Sequence, residues 1–241
     1  MPAKEQVIQS VWTRPRRVRR EQPSLSQEQI VAEAIRLLDA DGIEALSMRR
    51  LGARLNAGAT SLYSYVANKD ELIELVVDEV YGEMEVPDAD DPEGWRSAAA
   101  RSAQSLRATI LRHPWLVSVL GRAGFSSLGP NMMRNTDRML AVFEAGGYDL
   151  DEADHAMKAL LAYVVGMGTS EAAWLTALAR SGKSQEEWVE GLWPAVEAAA
   201  QPYPRLRAWC ASRRTGDPMG SSSTDIFSYG LDRLLDGLGK A

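Results

Sequence analysis

From Ser26 to the end of the chain, apolar side chains recur at three- and four-residue spacing and nowhere alternate over any length. That spacing lines one face of an α-helix, whereas a half-buried strand needs a period of two. Ile30, Val31, Ala34, Ile35, Leu37 and Leu38 set the pattern. Ser26 with Gln29 supplies a capping box ahead of them, and Asp41-Gly42 closes the helix with a residue suited to a left-handed cap. Further boxes stand at Asn68 with Glu71 and at Ser184 with Glu187. These signals require an all-α fold. Helices are expected over about 26–41, 47–55, 59–66, 68–85, 93–112, 115–120, 131–145, 151–179, 184–201 and 224–238. Pro202, Pro204 and residues 213–222 read as irregular connections.

Cysteine and charge narrow the setting. Cys210 is the single cysteine, so no internal disulfide framework can form and a reducing compartment fits. Residues 1–9 lack the apolar core of a secretory signal, and the longest nearly apolar run, 159–168, is too short to span a bilayer. The cytoplasm is the expected location, with no membrane partner. The net charge is −6, but the ten basic and six acidic side chains between Arg14 and Lys69 give that stretch a balance of +4. A basic stretch on an acidic chain is compatible with nucleic acid bound at one end only. Residues 1–24 read as a flexible basic arm, with Arg14, Arg16, Arg17, Arg19 and Arg20 and no apolar period. Such a run is either a solvated tail or an element that follows phosphates or enters a minor groove.

Residues 25–85 have the layout of a helix-turn-helix. A short helix buried through Met48, Leu51 and Leu55 is followed by a small-residue turn, Asn56 to Gly58, and a second short helix. In that second helix Leu62 and Val66 face inward, which leaves Thr60, Ser61, Tyr63, Ser64 and Tyr65 facing outward or sideways. Hydroxyls and tyrosines there offer donors and acceptors to base edges and phosphates.

The stretch from Ile30 to Val76 resembles the DNA-binding domain of the TetR repressor family, through DGIEALSMRRLGARL, the small-residue turn, SLYSYV and NKDEL. Residues 86–241 are similar to that family's helical ligand-binding and dimerisation domain, notably in WRSAAARSAQSLRATILRHP and FEAGGYDLDEADHAMKALLAYVVG. The resemblance implies an N-terminal three-helix reader joined by a fourth helix to that bundle. It implies a DNA-binding regulator, a repressor released from double-stranded operator DNA by a small, largely apolar inducer and acting as a homodimer. It also implies roles for residues. Ser47 should bond a phosphate, Arg49 should contact backbone or base, and Ala59, Thr60 and Ser61 should face bases. Tyr63, Tyr65 and Lys69 should meet phosphates, Lys69 at the positive end of a helix. The sequence departs from the family at Asn56, where glycine is commoner; asparagine tolerates the left-handed conformation such a turn needs.

The body is rich in aromatic and methionine side chains, which adapt to flat apolar ligands. Trp115, Val119, Phe125, Asn131, Met132, Met139, Tyr163, Met167, Ser170 and Trp174 are the candidate ligand contacts; plain core packing is the competing reading for each. A histidine that helps hold a metal-bound drug in one member of that family falls, by gapless comparison, at Val119 or Leu120 here, so neither a metal nor another cofactor is expected. His113, before Pro114 at a helix end, reads as a capping side chain. Leu160, Leu161, Val164 and Val165, with Ile226, Phe227, Leu231, Leu234 and Leu235, form more apolar stripe than one chain needs, which suggests a four-helix interface between two copies. An enzyme is the competing class, but neither histidine sits in a catalytic context such as G-x-S-x-G. A protein-binding helical module is the other; neither class needs a helix-turn-helix.

Overall fold

The computed structural model describes residues 25–120, 128–215 and 223–239. Among them the secondary structure is entirely helical: α1 (Gln27–Asp41), a 3-10 turn (Ile43–Ala45), α2 (Met48–Arg54), α3 (Ala59–Tyr63), α4 (Lys69–Tyr81), α5 (Gly94–Arg112), α6 (Leu116–Leu120), α7 (Pro130–Ala145), α8 (Leu150–Ser181), α9 (Gln185–Ala200), α10 (Pro204–Thr215) and α11 (Ser223–Leu238). The arm over residues 1–24 lies outside the described residues. No described helix is long and apolar enough to cross a membrane.

Local chemistry accounts for the ends of these helices. Both bonds of the capping box form at Ser26 and again at Ser184. At α4 the Asn68 side chain accepts from the Glu71 amide, but Glu71 reaches back to the Ala67 amide rather than to the cap itself. Gly42 takes a positive φ of 76° after α1, and Asn56 carries φ 50° in the turn before α3, as the sequence requires of it.

The chain divides into two compact units, Met1–Val165 and Gly166–Ala241, the division falling inside α8. In the first unit α1 packs on α2 and α4, α2 on α3, and α7 on both α4 and α5. Ile30, Ala34, Leu37, Leu51, Leu62, Val66, Leu72, Val76 and Val80 make the core of the reader. Trp95, Phe143 and Tyr148 form an aromatic cluster in the body, with centroids 5.5–5.9 Å apart. In the second unit α9 packs on α10. The irregular connection expected from Pro202 and Pro204 is in fact the start of α10. Pro204 occupies its first position, where a missing N–H costs nothing because that group has no partner inside the helix.

The apolar stripes on α8 and α11 separate into two sets. Leu160, Val164, Phe227, Leu231 and Leu235 are buried within the single chain. Leu161 on α8 (40% exposed), and Ile226 (51%) and Tyr229 (71%) on α11, remain exposed.

Candidate nucleic-acid interface

Ser47 caps α2: its hydroxyl accepts from the Arg50 amide at 3.2 Å and the residue stays exposed. Arg49, Arg50 and Arg54 follow on this helix but are not equivalent. Arg50 pairs with Asp41 at 2.8 Å, and Arg54 with Glu33 at 2.5 Å. Glu33 also holds Arg36 at 2.8 Å, and these guanidinium hydrogen bonds, Arg36 first and Arg54 second, pull its carboxyl below the ordinary value of 4.5. Arg49 is exposed and makes no ion pair among the described residues.

The turn Asn56–Gly58 delivers α3 with Ala59 at its start and Thr60 exposed. Ser61 is half-buried, and its carbonyl accepts from the Ser64 hydroxyl at 2.7 Å. Tyr63 is 49% exposed. Lys69, at the first position of α4, is half-buried and also without an ion pair among the described residues. A cation beside the positive end of a helix is favourable only with an anion between them.

Tyr65 corrects the sequence reading. It is 8% exposed, and its hydroxyl donates to the Leu25 carbonyl at 2.6 Å instead of facing outward. The reason is helical spacing: Leu62, Tyr65 and Val66 stand at i, i+3 and i+4 on one face, and the Val66 amide still donates to the Leu62 carbonyl at 3.0 Å, so residue 65 turns inward with its two apolar neighbours.

Behind the reader lies a polar seam that sequence spacing could not reveal. Asp78, on α4 and buried, sends its carboxylate to the start of α7, where Oδ1 accepts from the Met132 amide at 2.9 Å. Its Oδ2 accepts from the Asn131 side-chain amide at 3.2 Å and backbone amide at 3.3 Å. Gly129, the local cap residue, has no side chain to do this, and a Cβ there would overlap the Asp78 carboxylate. Asn135 adds a bond from its side chain to the Tyr81 carbonyl at 2.7 Å. Burial pushes the Tyr81 hydroxyl up to about 12, so the ring is neutral at any physiological pH.

A second seam joins α1 to the body. His113 is not a side-chain cap; its buried ring lies 2.7 Å from Asp39 at Nδ1 and 3.2 Å from Glu83 at Nε2. The Trp115 indole donates to the same Asp39 oxygen at 2.7 Å, and Arg112 pairs with Glu83. No group of His, Cys, Asp and Glu among the described residues is arranged to hold a metal ion.

The expected ligand contacts are distributed along the body. Trp115, Val119 and Met139 are buried, and Asn131, Met132 and Tyr163 half-buried, all in the first unit. Met167, Ser170 and Trp174 fall in the second unit, where Trp174 lies against Trp188 with centroids 4.2 Å apart and the Ser170 hydroxyl donates to the Gly166 carbonyl at 3.2 Å. Phe125 lies outside the described residues.

A short two-helix reader, with exposed hydroxyls on α3 and two unengaged cations, sealed by polar contacts to an all-helical body, defines a helix-turn-helix DNA-binding protein with an attached regulatory domain. Residues 30–76 match the family of bacterial regulatory proteins known as tetR, and residues 86–241 match the tetracyclin repressor-like C-terminal domain. The chain belongs to the TetR family of bacterial regulators. It is 34% identical to the transcriptional repressor DrrR1 of Streptomyces coeruleorubidus over 96% of this chain and 84% of that one. It is 36% identical to a helix-turn-helix regulator of Saccharopolyspora erythraea over 68% of this chain and 69% of that one. Among solved structures it is similar to the Streptomyces coelicolor TetR-family protein ActR in complex with actinorhodin, at a TM-score of 0.74 and 30% identity over 90% of this chain and 96% of that one.

Proposed function

We propose that the protein is a dimeric cytoplasmic repressor that occupies operator DNA and is released by a small, largely apolar ligand. The observation that carries this reading is the pairing of a hydroxyl-bearing recognition helix with a body that bonds to α1 through Trp115 and to α4 through Asn131. Thr60 and Ser61 read base edges from α3, while Ser47, Tyr63 and Lys69 hold phosphates, which fix position rather than sequence. Arg49 extends the contact from α2. The side chains at 59–61 are short and unforked, so discrimination rests on small donors and methyl contacts rather than on a guanine fork. The chemistry is binding, with no catalytic step.

The ligand lies in the first unit against Val119, Met132, Met139 and Tyr163. Two of the expected ligand residues have a second duty. Trp115 holds Asp39 of α1, and Asn131 holds Asp78 of α4. A ligand that displaces the segment before α6 therefore pulls on α1, and one that displaces α7 pulls on α4. Coupling of about 1–3 kcal/mol, roughly 5–150-fold in affinity, is typical of such linkage and suffices for release. It requires that the ligand favour the DNA-incompetent state, since equal binding to both shifts nothing. The repressor name of DrrR1 and the ligand complex of ActR support this order of events. Leu161, Ile226 and Tyr229 supply an interface with a second copy, which sets two readers on successive major grooves.

The test is a gel shift with the DNA upstream of the protein's own gene, repeated with aromatic small molecules that raise its melting temperature. Hits that release the DNA support the reading; tight binders that leave its DNA affinity untouched contradict it.

A further inference from the structure

Two carboxylates of the reader close on one buried side chain of the body. Asp39 stands in the last turn of α1, Glu83 just past the end of α4, and His113 follows α5 with its ring 3% exposed. Nδ1 of that ring lies 2.7 Å from an Asp39 oxygen. Nε2 lies 3.2 and 3.3 Å from the two Glu83 oxygens. An ionised carboxylate only accepts, so each contact is a hydrogen bond only when the ring nitrogen donates. The neutral ring has one N–H and serves one carboxylate; its other nitrogen turns a lone pair on the second. Imidazolium alone has a donor for both.

The neighbouring groups leave that requirement in place. The Trp115 indole donates to the same Asp39 oxygen and carries no charge. Arg112 pairs with Glu83, which keeps that carboxylate ionised and still an acceptor. Asp39 has no ion pair other than His113 among the described residues. One ring thereby holds the reader at both ends, at the helix before the helix-turn-helix and just past the helix after it. Loss of a proton leaves one end opposed by a lone pair instead of bonded. An end free to shift must be ordered again when α3 docks, and that ordering subtracts from affinity. Imidazole is the side chain whose ordinary charge change falls between about pH 5 and 8.

We propose that His113 is a positioning residue for DNA binding. As imidazolium it clamps both ends of the reader to the body, and loss of its proton loosens the reader and weakens its hold on DNA. This rests on the DNA-binding reading of α2 and α3.

The test measures affinity of the full chain for its own upstream DNA at about pH 6 and about pH 8, at one salt concentration, for the wild type, His113→Gln and Asp39→Asn. The wild type is expected to bind at least about fivefold more weakly at the higher pH, the lower end of ordinary coupling between sites; a smaller change overturns the clamp. His113→Gln should bind at both pH values as weakly as the wild type does at the higher one. Asp39→Asn should bind at both as the wild type does at the lower one, because an amide can donate to a bare ring nitrogen and the neutral ring then serves both partners. A pH difference that survives in either variant overturns the assignment. The ring itself is read by nitrogen-15 spectroscopy of the wild type, so the clamp stays testable if His113→Gln fails to fold. His155, the other histidine, is exposed. A buried ring without carboxylate partners favours the neutral form. Two protonated nitrogens on the His113 ring at about pH 6, and one at about pH 8, support the clamp; a single one at both overturns it. If the wild type binds this DNA at neither pH, the reading of α2 and α3 fails, and the ring spectrum still decides the clamp.

Discussion

Replacing Asp78 by alanine removes the group that closes the start of α7 from a different helix. Loss of an ordinary N-cap costs about 0.5–2 kcal/mol, and hydrogen bonds to a charged group contribute about 1.5–3 kcal/mol. Asp78 takes the bonds of the Asn131 side chain and of two backbone amides in a site it occupies 5% exposed, so water cannot fully replace it. The expected loss is about 2–4 kcal/mol, which for a chain of this length is a fall of roughly 4–16 °C in melting temperature. Because α4 also leads out of the reader, DNA affinity should fall with it. Gly129 makes the assignment sharper. Its φ of −67° suits any residue, so Gly129→Ala is harmful because the Cβ meets the Asp78 side chain, most closely its carboxylate and less closely its Cβ. In a double-mutant cycle followed by thermal unfolding, Gly129→Ala should cost clearly less in the Asp78→Ala background than in the wild type. Equal costs of Gly129→Ala in both backgrounds, or an Asp78→Ala loss below about 0.5 kcal/mol, would refute the reasoning.

Glu33→Gln should destabilise the reader at neutral pH, because the depressed carboxyl stabilises the fold above its ordinary value of 4.5 and loses that effect as pH falls through its lower folded value. Unfolding curves of variant and wild type should therefore converge as the pH falls below the carboxyl's lowered folded value, and a constant difference across pH would argue against the Arg36–Glu33–Arg54 arrangement. Leu161→Glu combined with Ile226→Glu should yield a folded monomer in sedimentation at micromolar concentration; a dimer that survives both charges would place the interface elsewhere.

The sequence carried the local rules well. The Ser26 and Ser184 boxes, the left-handed Asn56 and the two short helices around it depend on neighbours within four residues. What escaped depends on distance along the chain or on a competing reading of one residue type. His113 meets Asp39 from 74 residues away, and Asp78 meets Met132 from 54, spacings that no periodicity encodes. Pro204 was read as a breaker when its position after a turn equally suits the first residue of a helix. Tyr65 reads outward by its polar hydroxyl, whereas its position three after Leu62 and one before Val66 puts the ring on the buried face of the same helical turn. The +4 balance over residues 14–69 likewise belongs wholly to residues 14–24, because residues 25–69 carry five basic and five acidic side chains.

The central claim is tested most directly by binding isotherms of the full chain on its own upstream DNA and on a scrambled duplex of equal length. The wild type should prefer its own DNA by about 10³-fold or more, as sequence-reading proteins do. Lys69→Ala should weaken both duplexes alike and lower the salt slope by about 1. Thr60→Ala should instead narrow the preference between them. Equal affinity of the wild type for the two duplexes, or a preference unmoved by substitution at both Thr60 and Ser61, would contradict the assignment of α3 as the reader of operator DNA.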